Sequence, residues 1–335
     1  MNVREVGEFG LIERLARIVG VERPDVVVGI GDDVAVLDVG GPDWLLATVD
    51  CQVEDVHFLR HAIPPNQLGR RALAVNLSDI AAVGGRPHFA LVSLALPDHI
   101  EVEWVEALYG GLRQEGERAG VAVVGGNISR SPDGAFIDIT VLGRVRREHL
   151  LRRSGARPGD VVLVTGTLGD AAAGLRLLLN PEVEVDPAVR QVLLGRLFTP
   201  TPRLREAEAI VHTGGATAMI DISDGLSSDV GHICEASRVG VRLWAERLPL
   251  SEEARHAARL LGVPAWELAL VGGEDYELCL TARPEAADAL VAAVAAATGT
   301  PLTPVGEVVP PEAGRRLVLP DGQEALLEPR GWRHF

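Results

Sequence analysis

Aspartates that end apolar segments, or interrupt them, are the residues of this sequence best placed to do chemistry. They occur in remote parts of the chain, within residues 26–33, 46–50, 76–79 and 219–225. A single aspartate after a strand is commonly a turn or capping residue. Because the pattern recurs, we interpret these acids as the parts of one shared cation site.

One of these segments, Asn76-Leu77-Ser78-Asp79, lies in the middle of a helix predicted over 68–83 and ended by Gly84-Gly85. Asn, Ser and Asp compete for backbone hydrogen bonds and are poor residues for a helix interior. An ionised, buried Asp79 without a partner would cost several kcal/mol, and a metal ion would remove that cost. The alternative is that this edge of the helix faces water.

Glycine-rich segments are the candidates for anion contacts. A strand predicted over 121–124 leads into Gly125-Gly126-Asn127, either a turn whose N–H groups approach an anion or an ordinary turn. Gly166-Thr167-Leu168-Gly169 differs from the dinucleotide motif Gly-x-Gly-x-x-Gly, so a dinucleotide oxidoreductase is only the third functional choice. His57 lies in an acid-rich loop and is either a phosphate contact or a surface or capping histidine.

The composition limits the classes of protein to which the chain can belong. Its 335 residues predict two domains. No apolar run approaches the roughly 18 residues of a membrane span, and the first residues lack the features of a secretory signal. Three scattered cysteines indicate neither disulfides nor a zinc site. The net charge of −15 argues against nucleic-acid binding. We therefore expect a cytoplasmic enzyme with no membrane or nucleic-acid partner.

The sequence contains no lysine, so all 32 of its Lys+Arg residues are arginine. This excludes a Walker A loop, the lysine of protein kinases and Schiff-base chemistry. If the protein handles phosphate groups, it must do so with arginine, backbone N–H groups and metal ions.

The elements that must position these residues alternate between strands and helices, which indicates an α/β fold with two domains, 1–148 and 149–335. Predicted helices cover 8–19, 68–83, 101–119, 170–179, 203–213, 226–237 and 286–297. Predicted strands cover 26–30, 34–39, 44–49, 90–96, 121–124, 135–144, 161–165, 218–222 and 278–281. Asp50 would directly follow a strand. Ser223 or Asp224 is available to cap the helix over 226–237, but two acids three residues apart, Asp221 and Asp224, exceed what one cap needs.

Six blocks, taken together and in order, resemble the thiamine-monophosphate kinase family over nearly the whole chain. They are Gly29-Ile30-Gly31-Asp32-Asp33; Thr48-Val49-Asp50 with His57-Phe58; Ala74-Val75-Asn76-Leu77-Ser78-Asp79-Ile80-Ala81-Ala82; Arg153-Ser154-Gly155; Asp221-Ile222-Ser223-Asp224-Gly225-Leu226; and Gly272-Gly273-Glu274-Asp275-Tyr276-Glu277-Leu278. The resemblance implies the fold of aminoimidazole-ribotide synthetase-like proteins, with two α/β domains side by side. It also implies a homodimer in which the N-terminal mixed sheets pair into a barrel.

The resemblance further implies roles for individual residues. The implied ligands of several Mg²⁺ ions are Asp33, Thr48, Val49, Asp50, Asp79, Asn127, Asp221 and Asp224. The implied contacts to the co-substrate ATP are Gly126, Asn127, Arg153, Ser223 and Tyr109. The implied contacts to thiamine monophosphate are His57, Glu274 and Trp332, although from sequence alone Trp332 either stacks on a flat ring or packs into the core.

Two positions depart from the family pattern. The family usually has Gly-Gly-Asp-Thr where this chain has Gly125-Gly126-Asn127-Ile128. Asn127 keeps an oxygen ligand but loses a full charge, so we expect one metal ion to bind more weakly or to be absent. Val49 stands where a hydroxyl residue is common, and it offers only its backbone carbonyl.

Charge repulsion gives an independent reason to expect cations at the clustered acids. Two carboxylates about 4 Å apart repel by about 4 kcal/mol at an effective dielectric near 20, and Mg²⁺ prefers oxygen ligands and also binds ATP phosphates. We predict in-line transfer of the ATP γ-phosphoryl group to thiamine monophosphate without a phosphoenzyme. The predicted catalytic residues are Asp33, Asp50, Asp79, Asp221 and Asp224. The alternatives are another ATP-dependent enzyme of the same fold and a nucleotide-binding regulator with weak catalysis.

Overall fold

The N-terminal half forms one mixed β-sheet in the computed structural model, which describes residues 2–20, 23–332 and 334. Its strands are β1 (Val26–Val28), β2 (Ala35–Leu37), β3 (Asp43–Val53), β4 (Arg86–Leu96), β5 (Ala122–Arg130) and β6 (Phe136–Arg146). Their order in the sheet is β1-β2-β3-β6-β4-β5, and only β4 and β5 pair in parallel. The helices are α1 (Val3–Val6), α2 (Glu8–Val19), α3 (Pro65–Ala82) and α4 (Val102–Ala119).

The C-terminal half forms a second sheet with more helices around it. Its strands are β7 (Val161–Thr165), β8 (Ala216–Ile222), β9 (Gly240–Trp244), β10 (Glu277–Ala282), β11 (Leu302–Val309), β12 (Arg315–Val318) and β13 (Glu324–Leu326), in the order β13-β12-β9-β11-β7-β10-β8. The helices are α5 (Asp170–Leu179), α6 (Pro187–Phe198), α7 (Leu204–Thr213), α8 (Leu226–Ser237), α9 (Glu252–Leu261), α10 (Ala265–Val271) and α11 (Pro284–Thr298). Only β9 and β12 pair in parallel.

The two sheets bury their faces differently, as their sequences indicate. Strand β7 is a continuous apolar run that is buried on both faces, because helices cover both sides of the C-terminal sheet. Strand β6 alternates between buried and accessible residues, because only one face of the N-terminal sheet packs against the core. The other face of that sheet is open in the single chain.

Helix α3 connects the two halves of the molecule. Leu68, Leu73 and Leu77 are buried in the N-terminal core, whereas Ala81 and Ala82 pack into the C-terminal core. Helix α4 crosses α3 so closely that a Cβ at Gly69 would lie 2.0 Å from the carbonyl oxygen of Leu108. This close packing on both sides fixes the polar middle of α3 at the junction between the domains.

Several predicted elements are confirmed with their bounds: helices α2, α5 and α8, and strand β7. Two predictions at strand ends are wrong. Strand β3 does not end before Asp50, because Cys51, Gln52 and Val53 continue the ladder with β6. Gly125-Gly126-Asn127 is not a turn, because these residues pair in parallel with β4 inside strand β5.

The fold class is the predicted two-part α/β architecture. The division between residues 148 and 149 stays a prediction; it falls within a short 3₁₀ helix, Arg147–His149, that follows β6. Within the described ranges, no helix is both long and apolar enough to cross a membrane.

Candidate active site

Three aspartates from remote segments converge at the junction between the domains. Asp33 follows the turn after β1, Asp79 lies on α3, and Asp221 lies near the end of β8. One carboxylate oxygen from each lies within 4.8 Å of those of the other two. This convergence is what the recurring pattern of acids predicts.

The polar middle of α3 is buried and makes specific hydrogen bonds, so the alternative that it faces water is wrong. The Ser78 hydroxyl donates to Asp221 Oδ2 at 2.7 Å, across 143 residues of sequence. Asn76 accepts a hydrogen bond from the backbone N–H of Asp50 at 2.9 Å. The Thr48 hydroxyl donates to Asp79 Oδ2 at 2.5 Å. Asn76, Ser78 and Asp79 therefore each contact another segment of the site.

Arg153 is the cation that the protein itself supplies to the cluster. Its Nε donates to Asp33 Oδ1 at 3.1 Å, and its Nη2 donates to the same oxygen at 2.5 Å. The other oxygen, Asp33 Oδ2, is buried and has no hydrogen-bond partner among the described residues. One arginine thus leaves part of the clustered negative charge without a partner.

The enclosure of these acids raises their pKa values. Burial raises the pKa of Asp33 to about 7, against the opposing effect of Arg153. Burial raises the pKa of Asp221 to about 6, although the hydrogen bond from Ser78 lowers it. Burial also raises the pKa of Asp79 well above its usual value, and the neighbouring Asp50 adds to this effect. Asp50 lies on the cavity wall, where the loss of hydration, together with the nearby charge of Glu274, raises its pKa to about 7.

The donor set fits a divalent cation. It offers three carboxylates within reach of one ion, an unpartnered buried oxygen on Asp33, and hydroxyl and amide groups that already fix the geometry. Hard cations such as Mg²⁺ prefer this kind of oxygen site. Asp224, Asp229 and His232 form a second group whose ligand atoms also lie within 4.8 Å of one another.

The alternative that Ser223 or Asp224 serves only as a helix cap is wrong. The N-cap residue of α8 is Gly225, with φ +117°, and no side chain caps the helix. The buried Asp229 side chain accepts hydrogen bonds from the backbone N–H groups of Asp224 (3.2 Å) and Gly225 (3.0 Å). Because Asp229 holds the loop by its backbone, the side chains of Ser223 and Asp224 are not needed as caps, and both line the cavity.

The acids line a cavity of about 1430 Å³ between the two domains. The predicted site residues on its wall are Asp33, Thr48, Val49, Asp50, His57, Asp79, Arg153, Asp221, Ser223, Asp224, Glu274 and Trp332. Trp332 is 52% exposed, which rules out the alternative that it packs into the core. The centroid of its ring lies 6.1 Å from that of His334, and the His334 centroid lies 5.1 Å from that of His57.

His57 has a defined tautomer. Its Nδ1 accepts a hydrogen bond from the backbone N–H of Val53 at 3.0 Å, so the ring proton of the neutral form is on Nε2. Burial, followed by the nearby charges of His334 and Arg71, lowers the pKa of His57 to about 4. His57 is therefore a neutral donor at the cavity wall at pH 7.

Comparison with known proteins gives the family. Residues 31–145 match the N-terminal domain of AIR synthase related proteins, and residues 157–318 match their C-terminal domain. The chain is 39% identical over 335 residues to the thiamine-monophosphate kinase of Aquifex aeolicus, covering 100% of both chains. It is 37% identical over 329 residues to that of Escherichia coli K12, covering 98% of both. The chain belongs to the thiamine-monophosphate kinase family. It is therefore an enzyme of the kinase class.

Solved structures of the family share the whole architecture. A structure of AaThiL complexed with AMPPCP and TMP superposes with a TM-score of 0.86 at 38% identity, covering 100% of this chain and 99% of that one. A structure of a HypE–HypF complex resembles this chain in fold only. It has a TM-score of 0.76 at 20% identity, covering 95% of this chain and 98% of that one.

Three residues with roles implied by the family resemblance are not on the cavity wall. Tyr109 lies on α4 and packs, partly buried, against the N-terminal core. Gly126 and Asn127 lie on β5, the edge strand farthest from β1. Within one chain, the structure therefore does not bring these three residues to the acids.

The raised pKa values predict that the stabilising effect of a bound cation depends on pH. Between the unfolded pKa of about 4 and the folded values of about 6 to 7 for Asp221 and Asp33, the folded state binds more protons than the unfolded state. Raising the pH through this window therefore lowers the free energy of unfolding of the metal-free protein. We expect Mg²⁺ at about 100 times its dissociation constant to contribute about 2.7 kcal/mol, and more at pH 8 than at pH 5.

Thermal unfolding with and without Mg²⁺ at pH 5 and pH 8 measures this effect, with NaCl at matched ionic strength as the control. Equal midpoints with Mg²⁺ and with NaCl at pH 8 would contradict the proposed cation site.

Proposed function

We propose that this enzyme transfers the γ-phosphoryl group of ATP directly to thiamine monophosphate, forming thiamine diphosphate, in a Mg²⁺-dependent reaction. The observation that carries the proposal is the meeting of Asp33, Asp79 and Asp221 at one point of a cavity large enough for two ligands. The names of the family members and the complex of AaThiL with AMPPCP and TMP support the choice of substrates.

The chemical task of the site is to bring two anions together. The acceptor phosphate oxygen is already ionised at pH 7, so no strong general base is needed. Asp33, Asp79 and Asp221 would hold Mg²⁺, with Thr48, Asp50, Asp224 and the Val49 carbonyl as further ligands. When bound, Mg²⁺ supplies positive charge for the phosphoryl oxygens. Arg153 and Ser223 contact the ATP phosphates, and fixed donors of this kind stabilise charge that spreads in the transition state.

The acceptor end of the site is formed by His57, Glu274 and Trp332. The neutral His57 ring donates from Nε2 to a phosphate oxygen without the desolvation cost of a buried imidazolium. Trp332 offers the face of an exposed ring to the thiamine rings. We propose that Glu274 accepts a hydrogen bond from the amino group of the substrate.

We also propose that the enzyme is a homodimer built on the open face of the N-terminal sheet. That face exposes four large apolar side chains, Val49, Phe89, Leu91 and Phe136, between 36% and 57% accessible. The β-ladder register places Asn127 on the same face, next to Ser93. In such a dimer, Gly126 and Asn127 would lie next to the partner chain, where they would contact the ATP bound by that chain.

The dimer has a measurable consequence. Sedimentation equilibrium should give a mass of twice 35.6 kDa. Leu91→Asp places a charge in the apolar face and should give a monomer with greatly reduced activity. Val102→Asp is the matched control, because Val102 is 67% exposed at the start of α4, outside that face. A monomeric wild-type protein with full activity would contradict the dimer proposal.

The proposed function is tested by measuring phosphate transfer from γ-labelled ATP to thiamine monophosphate, with substrates of other enzymes of this fold assayed separately. We expect label in thiamine diphosphate and none retained on the protein. Turnover of another substrate without turnover of thiamine monophosphate would favour the same-fold alternative. Tight Mg-ATP binding without any transfer would favour a regulator.

A further inference from the structure

Arg71 is a buried cation at the cavity wall that belongs to neither the acid cluster nor the proposed phosphate contacts. It lies on α3, two helical turns before Asp79, and its side chain is only 3% exposed. A buried guanidinium group is costly unless its donors are all used. The identity of its partners therefore indicates what the side chain is for.

The partners of Arg71 come from four separate segments. Its Nε donates to Gln52 Oε1 on β3 at 3.0 Å, and its Nη1 donates to the backbone oxygen of Leu197 on α6 at 2.7 Å. Its Nη2 donates to the backbone oxygen of His57 at 3.0 Å and forms an ion pair with Glu274 Oε2 at 2.5 Å. Segments of both domains are thus joined through one planar group.

Two of these partners are the residues proposed to hold thiamine monophosphate, and both lie on irregular backbone. His57 is in the loop between β3 and α3, which contains Asp55 at φ +65°. Glu274 has φ +72°, in the left-handed region that residues other than glycine rarely adopt. Such a conformation persists only where its surroundings hold it. Arg71 is the cation paired with the Glu274 carboxylate, which Tyr276 also hydrogen-bonds, while the backbone N–H of Glu274 donates to the Ser223 oxygen at 2.7 Å.

We infer that Arg71 is a positioning residue for the acceptor substrate: it fixes His57 and Glu274 relative to each other across the domain junction. The inference rests on the proposed function, because it takes these two residues as the thiamine monophosphate contacts. Arg71 acts through them and not on the ATP side, where Arg153 lies against Asp33.

The geometry of the guanidinium group matters more than its charge in this role. Arginine presents donors in several fixed directions within one plane, whereas the ammonium group of lysine is a point charge on a flexible stem. A lysine at position 71 would keep a positive charge opposite Glu274. It would not reach Gln52, Leu197 and His57 at the same time.

The neighbouring Arg70 provides a matched control on the same helix. Its side chain, 17% exposed, pairs with Glu115 on α4 at 3.1 Å, on the side of α3 away from the cavity. Replacing Arg70 removes a partly buried arginine and breaks a salt bridge without touching His57 or Glu274. A purely structural effect of losing an arginine from α3 should appear in both variants.

Steady-state kinetics of the full-length protein with both substrates tests the inference, using wild type, Arg71→Met, Arg71→Lys and Arg70→Met. For both Arg71 variants we expect the KM for thiamine monophosphate to rise by about 10- to 100-fold, with the KM for ATP within about 3-fold of wild type. For Arg70→Met we expect both KM values to stay near wild type. If Arg71→Met does not fold, Arg71→Lys, which retains the charge, carries the test.

The outcomes separate this inference from the proposed function. Wild-type protein that does not phosphorylate thiamine monophosphate overturns both. Wild-type turnover together with an unchanged KM for thiamine monophosphate in the folded Arg71 variants overturns the inference alone. Equal increases of both KM values, or the same increase in Arg70→Met, would show general damage to the helix and would also overturn it.

Discussion

Asp221→Asn should lower kcat by about 10³-fold or more, while the metal-free protein at pH 8 unfolds at an unchanged or higher temperature. Asp221 is 3% exposed and lies within reach of the same ion as Asp33 and Asp79. Removing its charge removes a ligand for the cation on which transfer depends. It also removes repulsion between crowded carboxylates, and the amide oxygen can still accept the Ser78 hydrogen bond.

A structural aspartate provides the control for this prediction. Asp160 is 4% exposed, and its Oδ2 accepts hydrogen bonds from the backbone N–H of Arg157 (2.9 Å) and the hydroxyl of Thr217 (2.7 Å), outside the cavity. Asp160→Asn should lower the unfolding temperature and leave kcat close to wild type. Near-normal turnover in Asp221→Asn, or a loss of stability as large as that of Asp160→Asn, would remove Asp221 from the proposed site.

Arg153→Ala should lower kcat/KM for ATP by about 10²-fold or more, because a charge-assisted donor to transferring phosphates is lost. The variant also leaves both side-chain oxygens of Asp33 without a hydrogen-bond partner among the described residues. We therefore expect its activity to fall more steeply than that of wild type when the Mg²⁺ concentration is lowered. Arg153→Lys should recover little, because only Arg153 Nε and Nη2 together match the present contact with Asp33.

Arg152→Ala is the matched control for Arg153→Ala. Arg152 precedes Arg153 in the chain, is not among the residues that line the cavity, and its backbone oxygen accepts a hydrogen bond from the backbone N–H of Met219 at 3.0 Å. We expect kinetics near wild type. An equal loss of kcat/KM for ATP in both variants would indicate that any substitution in this segment impairs the enzyme. It would contradict a specific role for Arg153. Initial rates measured over a range of ATP concentrations distinguish the two results.

The sequence is informative about this site because its acids occur where local chemistry makes them conspicuous. Asn76, Ser78 and Asp79 are poor helix-interior residues, and the structure shows that each is used in a contact with another segment. The amphipathic spacing of α2 and the apolar run of β7 likewise predict their elements with the observed bounds. In each case the signal lies within one short segment.

The sequence is less informative where pairing with a distant strand decides the structure. Asp50 and Gly126 carry the local signals of a strand end, yet β3 and β5 continue through them because β6 and β4 lie alongside. Gly126 is required there for another reason: a Cβ would lie 1.8 Å from the carbonyl oxygen of Val92. Arg71 was not predicted as a site residue, since its partners Gln52, Leu197 and Glu274 lie on distant segments. Asp229 was not predicted either, although its contacts with the N–H groups of Asp224 and Gly225 are local to the start of α8.

The shared cation site is tested most directly by anomalous diffraction from crystals grown with Mn²⁺ in place of Mg²⁺, together with a non-hydrolysable ATP analogue and thiamine monophosphate. We expect an anomalous peak within coordination distance of carboxylate oxygens of Asp33, Asp79 and Asp221, between the phosphates of the two ligands. Ordered density for both ligands with no anomalous peak at these three carboxylates would contradict it.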